Sequence, residues 1–232
     1  MSDGGKTNLT IRFCTGEWIF SVYDSRTNSL ISHRNIPAHL PSLSEEDILR
    51  AMATTTEMQQ KHESIRFVCE SDNYSIVPEA VFDPNEAFDL LSFQIGSIKD
   101  AIVLSNSLSV WKAINVFAIP KDLYKALLCF GTEPKIEHHL TTFVNDEVKH
   151  SNSQKMYVWL RGNKMDVVVL KNGNIGLVNS YDFQTPEDFV YYILNVFEQL
   201  ALDVEGCAVY LHNAEEREDV KKIATNFVNL KE

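Results

Sequence analysis

The residue types that could do chemistry are few and scattered. Asp182, Glu187 and Asp188 are close enough in sequence to form a carboxylate site for a cation or for proton transfer. They also follow the pattern Thr185-Pro186-Glu187-Asp188, in which Thr is a helix cap, Pro takes the first helical position and acids fill the first turn. Acids placed there favour the helix by about 0.3 to 1 kcal/mol, the ordinary use of Glu187 and Asp188. His138 and His139 are adjacent, so on one regular element their rings would point apart, and no third ligand stands at metal spacing. Cys14, Cys69, Cys129 and Cys207 lie far apart beside apolar neighbours, without a CxxC, and read as buried, reduced thiols. Residues 105–109 read as a polar loop whose serines have no histidine nearby in sequence. Phosphate-binding P-loop, dinucleotide, nucleophile-elbow and zinc-protease patterns do not occur. No catalytic, cofactor-binding or metal-ligating residue is therefore assigned, and no cofactor is expected.

The whole chain sets further bounds. Its 232 residues suffice for one large domain or two small ones, and 44% hydrophobic residues can build a core without metal or disulfide. A net charge of −11 repels phosphate backbones and anionic lipid heads, which argues against nucleic-acid partners and membrane surfaces. Residues 1–8 are polar, without the apolar core of a signal peptide, and no apolar run reaches the length of a membrane span, so no membrane insertion and a cytoplasmic location are expected. Between Glu45 and Asp100 stand 12 acids and 4 bases, so most of the negative charge is concentrated there. Such a segment is either a solvated face or an acidic docking surface for a basic partner.

The elements that would position these residues come in a repeated order. Runs 9–13, 18–23 and 30–36 read as an antiparallel meander, followed by a helix capped at Ser44 and running to about Gln60, then a strand at 65–69. Runs 156–160, 165–170 and 175–181 form a second meander with the hairpin signal Asn172-Gly173-Asn174, then a helix from Pro186 to about Leu202 and a strand at 207–211. The caps align as Ser44-x-Glu46-Asp47 against Thr185-x-Glu187-Asp188, which reads as an internal duplication. Between the copies, a strand ending at Val77-Pro78 precedes a helix at 84–93 capped by Asp83. Strands at 101–104 and 113–119 then precede a helix at 121–130. The polar stretch 146–154 marks the boundary, giving domains 1–150 and 151–232.

A three-stranded meander, a helix and a strand, made twice, is similar to the actin-like ATPase and ribonuclease-H-like superfamily. Two stretches make the resemblance specific. The first runs from Ile65-Arg66-Phe67 to Phe82 and includes Val77-Pro78-x-x-Val81-Phe82. The second is Leu177-Val178-Asn179-Ser180-Tyr181-Asp182-Phe183-x-Thr185-x-Glu187-Asp188-Phe189-x-Tyr191. Both resemble the bacterial domain-of-unknown-function family 3822, and the likeness covers nearly the whole chain. That family in turn resembles the actin-like fold as used by pilus-assembly M proteins and FtsA-type division proteins. The resemblance implies an α/β chain with a duplicated actin-like fold, mixed sheets carrying helices, and a cleft between two domains.

Active members of the superfamily end the first strand of a half in Asp-x-Gly, where a carboxylate faces the metal and glycine lets backbone N–H groups reach phosphate. Here the corresponding turns read Phe13-Cys14-Thr15-Gly16-Glu17 and Leu160-Arg161-Gly162-Asn163-Lys164, neither with the Asp. Gly16 and Gly162 read as hairpin glycines with positive φ. The segment after Leu211, His212-Asn213-Ala214-Glu215-Glu216, lacks the Gly-Gly of an adenine site. A nuclease of the ribonuclease-H type would need clustered carboxylates, and residues 9–23 offer only Glu17. The reading is a non-catalytic protein-interaction or scaffold protein with an unknown protein partner, a homo-oligomer being one form. The alternative is a nucleotide-binding switch in the same cleft. Tyr191 and Tyr192 fall among the polar residues of their helix, and either cover a neighbouring domain or anchor a second chain.

Overall fold

The computed structural model describes residues 6–38, 43–130 and 134–231, so the first five residues of the polar opening segment lie outside the described residues. The chain divides into two compact units, Met1–Thr142 and Phe143–Glu232. In the first, β1 (Thr7–Phe13), β2 (Glu17–Asp24) and β3 (Leu30–Pro37) form the expected meander. β4 (Ser64–Cys69) joins parallel to β1, and β8 (Lys135–His138) joins parallel to β4, giving the order β3-β2-β1-β4-β8. Alternation decides which face is buried. Leu9, Ile11 and Phe13 stand opposite Val22, Phe20 and Trp18, and all six are buried in one cluster. Ile48 and Met52 of α1 (Glu45–Ala53), four apart on one helix face, close this cluster together with Leu123, Ala126 and Leu127 of α3 (Lys121–Leu128).

Ser44 and Asp47 form a reciprocal capping box at the start of α1. The helix stops at Ala53, not near Gln60. Thr54 and Thr55 hydroxyls donate back to the carbonyls of Arg50 and Ala51, a local alternative to helix continuation, and a short 3-10 turn follows. β5 (Tyr74–Pro78), β6 (Ala101–Leu108) and β7 (Ala113–Pro120) make a separate antiparallel sheet, order β5-β7-β6, covered by Leu91 of α2 (Ala87–Ile95). Residues 105–108, expected in a loop, extend β6, because each finds a partner on β7, whose residues 114–119 are buried.

The second unit repeats the order of the first. β9 (Lys155–Arg161), β10 (Lys164–Lys171) and β11 (Asn174–Asp182) form a meander, and β12 (Ala208–His212) and β13 (Asn229–Lys231) add in parallel, giving β11-β10-β9-β12-β13. Positive φ at both Asn172 and Gly173 matches the tight turn joining β10 to β11. α5 (Pro186–Gln199) carries the same reciprocal box at Thr185 and Asp188, and buries Phe189, Val190, Ile193, Val196 and Phe197 against the sheet. α4 (His139–Asp146), β8, β13 and the extent of α6 (Glu218–Ala224) carry too few periodic apolar residues to read from sequence.

Candidate functional site

In the first unit the turn after β1 meets the end of β4. Phe13 pairs with Cys69, so Cys14 stands beside Glu70. Two backbone amides at this junction are engaged: Cys14 N–H donates to Glu17 O (2.9 Å), and Glu70 N–H to Phe13 O (3.0 Å). Burial, and then the charge of Glu70 and its hydrogen bond, push the Cys14 thiol far up, while burial pushes Cys69 up to about 12. Both sulfurs are therefore neutral thiols. Gly16 does not adopt the positive φ expected of it, whereas Gly162 does (φ 59°).

Cys14, Thr15, Cys69 and Glu70 line an open pocket of about 340 Å³ that also includes Ser71, Asn73, Lys99 and Asp100. The Ser71 hydroxyl donates to Ala118 O (2.7 Å) and accepts from Asn73 N–H (3.1 Å), which fixes the chain beyond β4. The charged lining of the pocket is two carboxylates, Glu70 and Asp100, and one lysine, Lys99.

The second hairpin turns Arg161 inward. Arg161 donates to Asp166 through Nε (2.6 Å) and Nη2 (2.9 Å), and Ser180 Oγ donates to the same carboxylate (2.6 Å). The Arg161 and Asp166 side chains are only 6% and 1% exposed, so this bidentate pair is a structural lock across β9, β10 and β11. Sequence reasoning missed it; its signal is a lone carboxylate inside the apolar run of β10. Asp182, Glu187 and Asp188 do not converge on a carboxylate site. Asp182 pairs with Lys164 (2.8 Å), while Asp188 accepts from Gln184 and Thr185 N–H, which hold its carboxyl below the ordinary range.

His138 and His139 do not point apart, because the first ends β8 and the second begins α4; their ring centroids lie 4.2 Å apart. The partners of buried His138 assign its tautomer: Nε2–H donates to Ser71 O (2.8 Å) and Nδ1 accepts from Asn115 Nδ2 (2.9 Å). Asn115 also donates to Thr141 Oγ1, and Asn106 accepts from His138 N–H. Asn106 and Asn115 face each other across β6 and β7, so the network ties that sheet to β8. Among the described residues no group of three His, Cys, Asp or Glu side chains could hold a metal ion. Likewise, no helix among them is long and apolar enough to cross a membrane. On α5 the tyrosines differ in burial although their rings meet edge to face (5.4 Å): Tyr192 stacks on Tyr181 (5.1 Å) against the core, whereas Tyr191 is 65% exposed.

A meander extended by two parallel strands, present twice in the same strand order, is the arrangement of the actin-like ATPase fold. A Bacteroides thetaiotaomicron protein described as having an actin-like ATPase fold and unknown function matches with a TM-score of 0.82 at 22% identity, over 99% of this chain and 93% of that one. A structure of the PilM–PilN type IV pilus biogenesis complex matches with a TM-score of 0.54 at 12% identity, over 96% and 87% of the two chains. The chain belongs to the family described as Protein of unknown function (DUF3822), whose model matches residues 2–230. No curated protein matches the sequence.

Proposed function

We propose that the chain is a non-catalytic protein-interaction or scaffold protein, a pseudo-ATPase on a degenerate, internally duplicated actin-like fold with halves 1–150 and 151–232. The observation that carries this reading is the composition of the turn after β1. A magnesium triphosphate approaching Cys14 and Thr15 meets two neutral thiols, no carboxylate from β1, and a Cys14 amide already bonded to Glu17. Glu70, the nearest carboxylate, interacts with the Cys14 thiol, and Glu17 adds like-charge repulsion. The second hairpin holds Arg161 in the buried Asp166 pair and Lys164 against Asp182, so each cation already has a carboxylate partner. The similarity to a structure described as the PilM–PilN type IV pilus biogenesis complex supports an interaction role, and function on a shared fold still has to be argued from the site.

Calorimetric titration of the full chain with Mg-ATP tests the reading. Dissociation constants weaker than about 1 mM, corresponding to less than about 4 kcal/mol of binding, are expected. Micromolar binding, or hydrolysis above background, would replace the interaction reading with the nucleotide-binding switch.

A further inference from the structure

The segment leading into and forming α2 exposes large apolar side chains beside carboxylates. Phe93 is 92% exposed and Val81, in the 3-10 turn before the helix, is 73% exposed; Phe88 and Ile95 are exposed as well. Helical geometry places Phe88 and Ile95, seven apart, on one flank, and Phe93 about 140° from Phe88. Leu91 takes the inward position against β5, β6 and β7, so these aromatics are surplus to the packing of the sheet.

Their surroundings are acidic. Glu79, Asp83, Glu86 and Asp89 are all exposed, and among the described residues none of the four is held in an ion pair. From Tyr74 to Pro120 five carboxylates stand against two lysines, Lys99 and Lys112, and no base occurs between Arg66 and Lys99. We infer that this surface docks a basic amphipathic segment of a partner protein, with an apolar face bordered by Lys and Arg. The choice of occupant follows from charge. A second copy would set these acids against one another in a chain of net charge −11, whereas a basic segment pairs with them and lays its aliphatic stems over the phenyl rings. The inference names the surface and partner chemistry of the interaction role proposed above and rests on that reading.

The test uses the full chain and a labelled helical peptide with leucines on one face and lysines along its borders, read by fluorescence anisotropy. Binding is expected, weakened by salt and absent for the same peptide with glutamates in place of lysines. Phe88→Ser/Phe93→Ser should weaken binding about ten-fold or more, as loss of aromatic anchors does. Glu86→Lys/Asp89→Lys should do the same without touching the apolar residues, and Tyr191→Ser should leave binding unchanged. The inference is overturned if the lysine peptide does not bind, if the glutamate peptide binds as well, or if both double variants bind like the parent. It is also overturned if light scattering shows self-association that Phe88→Ser/Phe93→Ser removes. Mg-ATP titration of the same preparation separates the failures. Nucleotide binding overturns the interaction reading itself, whereas a chain that binds neither nucleotide nor peptide overturns only this surface.

Discussion

Replacing Asp166 by Ala should be among the most damaging single changes in the second unit. The substitution leaves the Arg161 guanidinium without its bidentate carboxylate at a site where the side chain is 6% exposed, and removes an acceptor of Ser180. Removing one member of a buried ion pair costs about 3 to 5 kcal/mol, mainly because the remaining charge stays desolvated. That is a large share of the roughly 5 to 15 kcal/mol that separates folded from unfolded domains. Replacing both members at once, Arg161→Met with Asp166→Leu, removes the stranded charge, and the double variant should lie within about 1 kcal/mol of the parent or above it. Ser180→Ala, which takes away one donor, should cost about 1 to 2 kcal/mol. Native-state hydrogen exchange of β10 reads the effect locally. At about 1.4 kcal/mol per decade, Asp166→Ala should speed exchange of Val167 to Val169 by two to more than three orders of magnitude. A change below ten-fold, or a double variant worse than the single, would refute the account of this pair as a lock.

Other expectations follow from the same geometry. Burial holds the His212 imidazole below its ordinary value, with Glu147 and Glu215 opposing, so the unfolded chain takes up a proton first as pH falls. The stability this neutral histidine contributes is present above about pH 6.5 and lost below it through the folded value, and His212→Gln should flatten that slope in denaturation midpoints between pH 5 and 7, roughly. Thr185→Ala removes the cap of α5 and should lower stability by about 1 kcal/mol in urea melts. Tyr192→Ser should destabilise the second unit because the ring stacks on Tyr181, whereas Tyr191→Ser should leave the melt unchanged. Exposed Cys129 should react first with a thiol reagent, ahead of Cys69 and Cys207, which burial pushes to about 12 and about 11.

Both meanders and both capping boxes were legible because their signals are local: period-two apolar runs, Asn172-Gly173, and a hydroxyl three residues before an acid. The end of α1 was not, since three consecutive threonines can continue a helix or bond back to it, and the hydroxyl geometry decides. β8 and β13 are short strands whose stability comes from parallel neighbours distant in sequence, so no local pattern marks them. The missing Asp-x-Gly carboxylate could be read residue by residue at the turns. The inward Arg161 and the Asn106, Asn115 and His138 network could not, because cross-strand register brings them together. The outer face of α2 was visible only as a charge imbalance; which aromatics stay exposed depends on how the helix packs on its sheet.

The proposed interaction role requires that the turn after β1 binds nucleotide phosphate only weakly, and hydrogen exchange there with and without Mg-ATP tests it most directly. A ligand present at a hundred times its dissociation constant stabilises its site by about 2.7 kcal/mol, which slows exchange by about 100-fold. Unchanged exchange at Cys14 to Glu17 and at Glu70 and Ser71 is the predicted result; protection of these amides by Mg-ATP would contradict it.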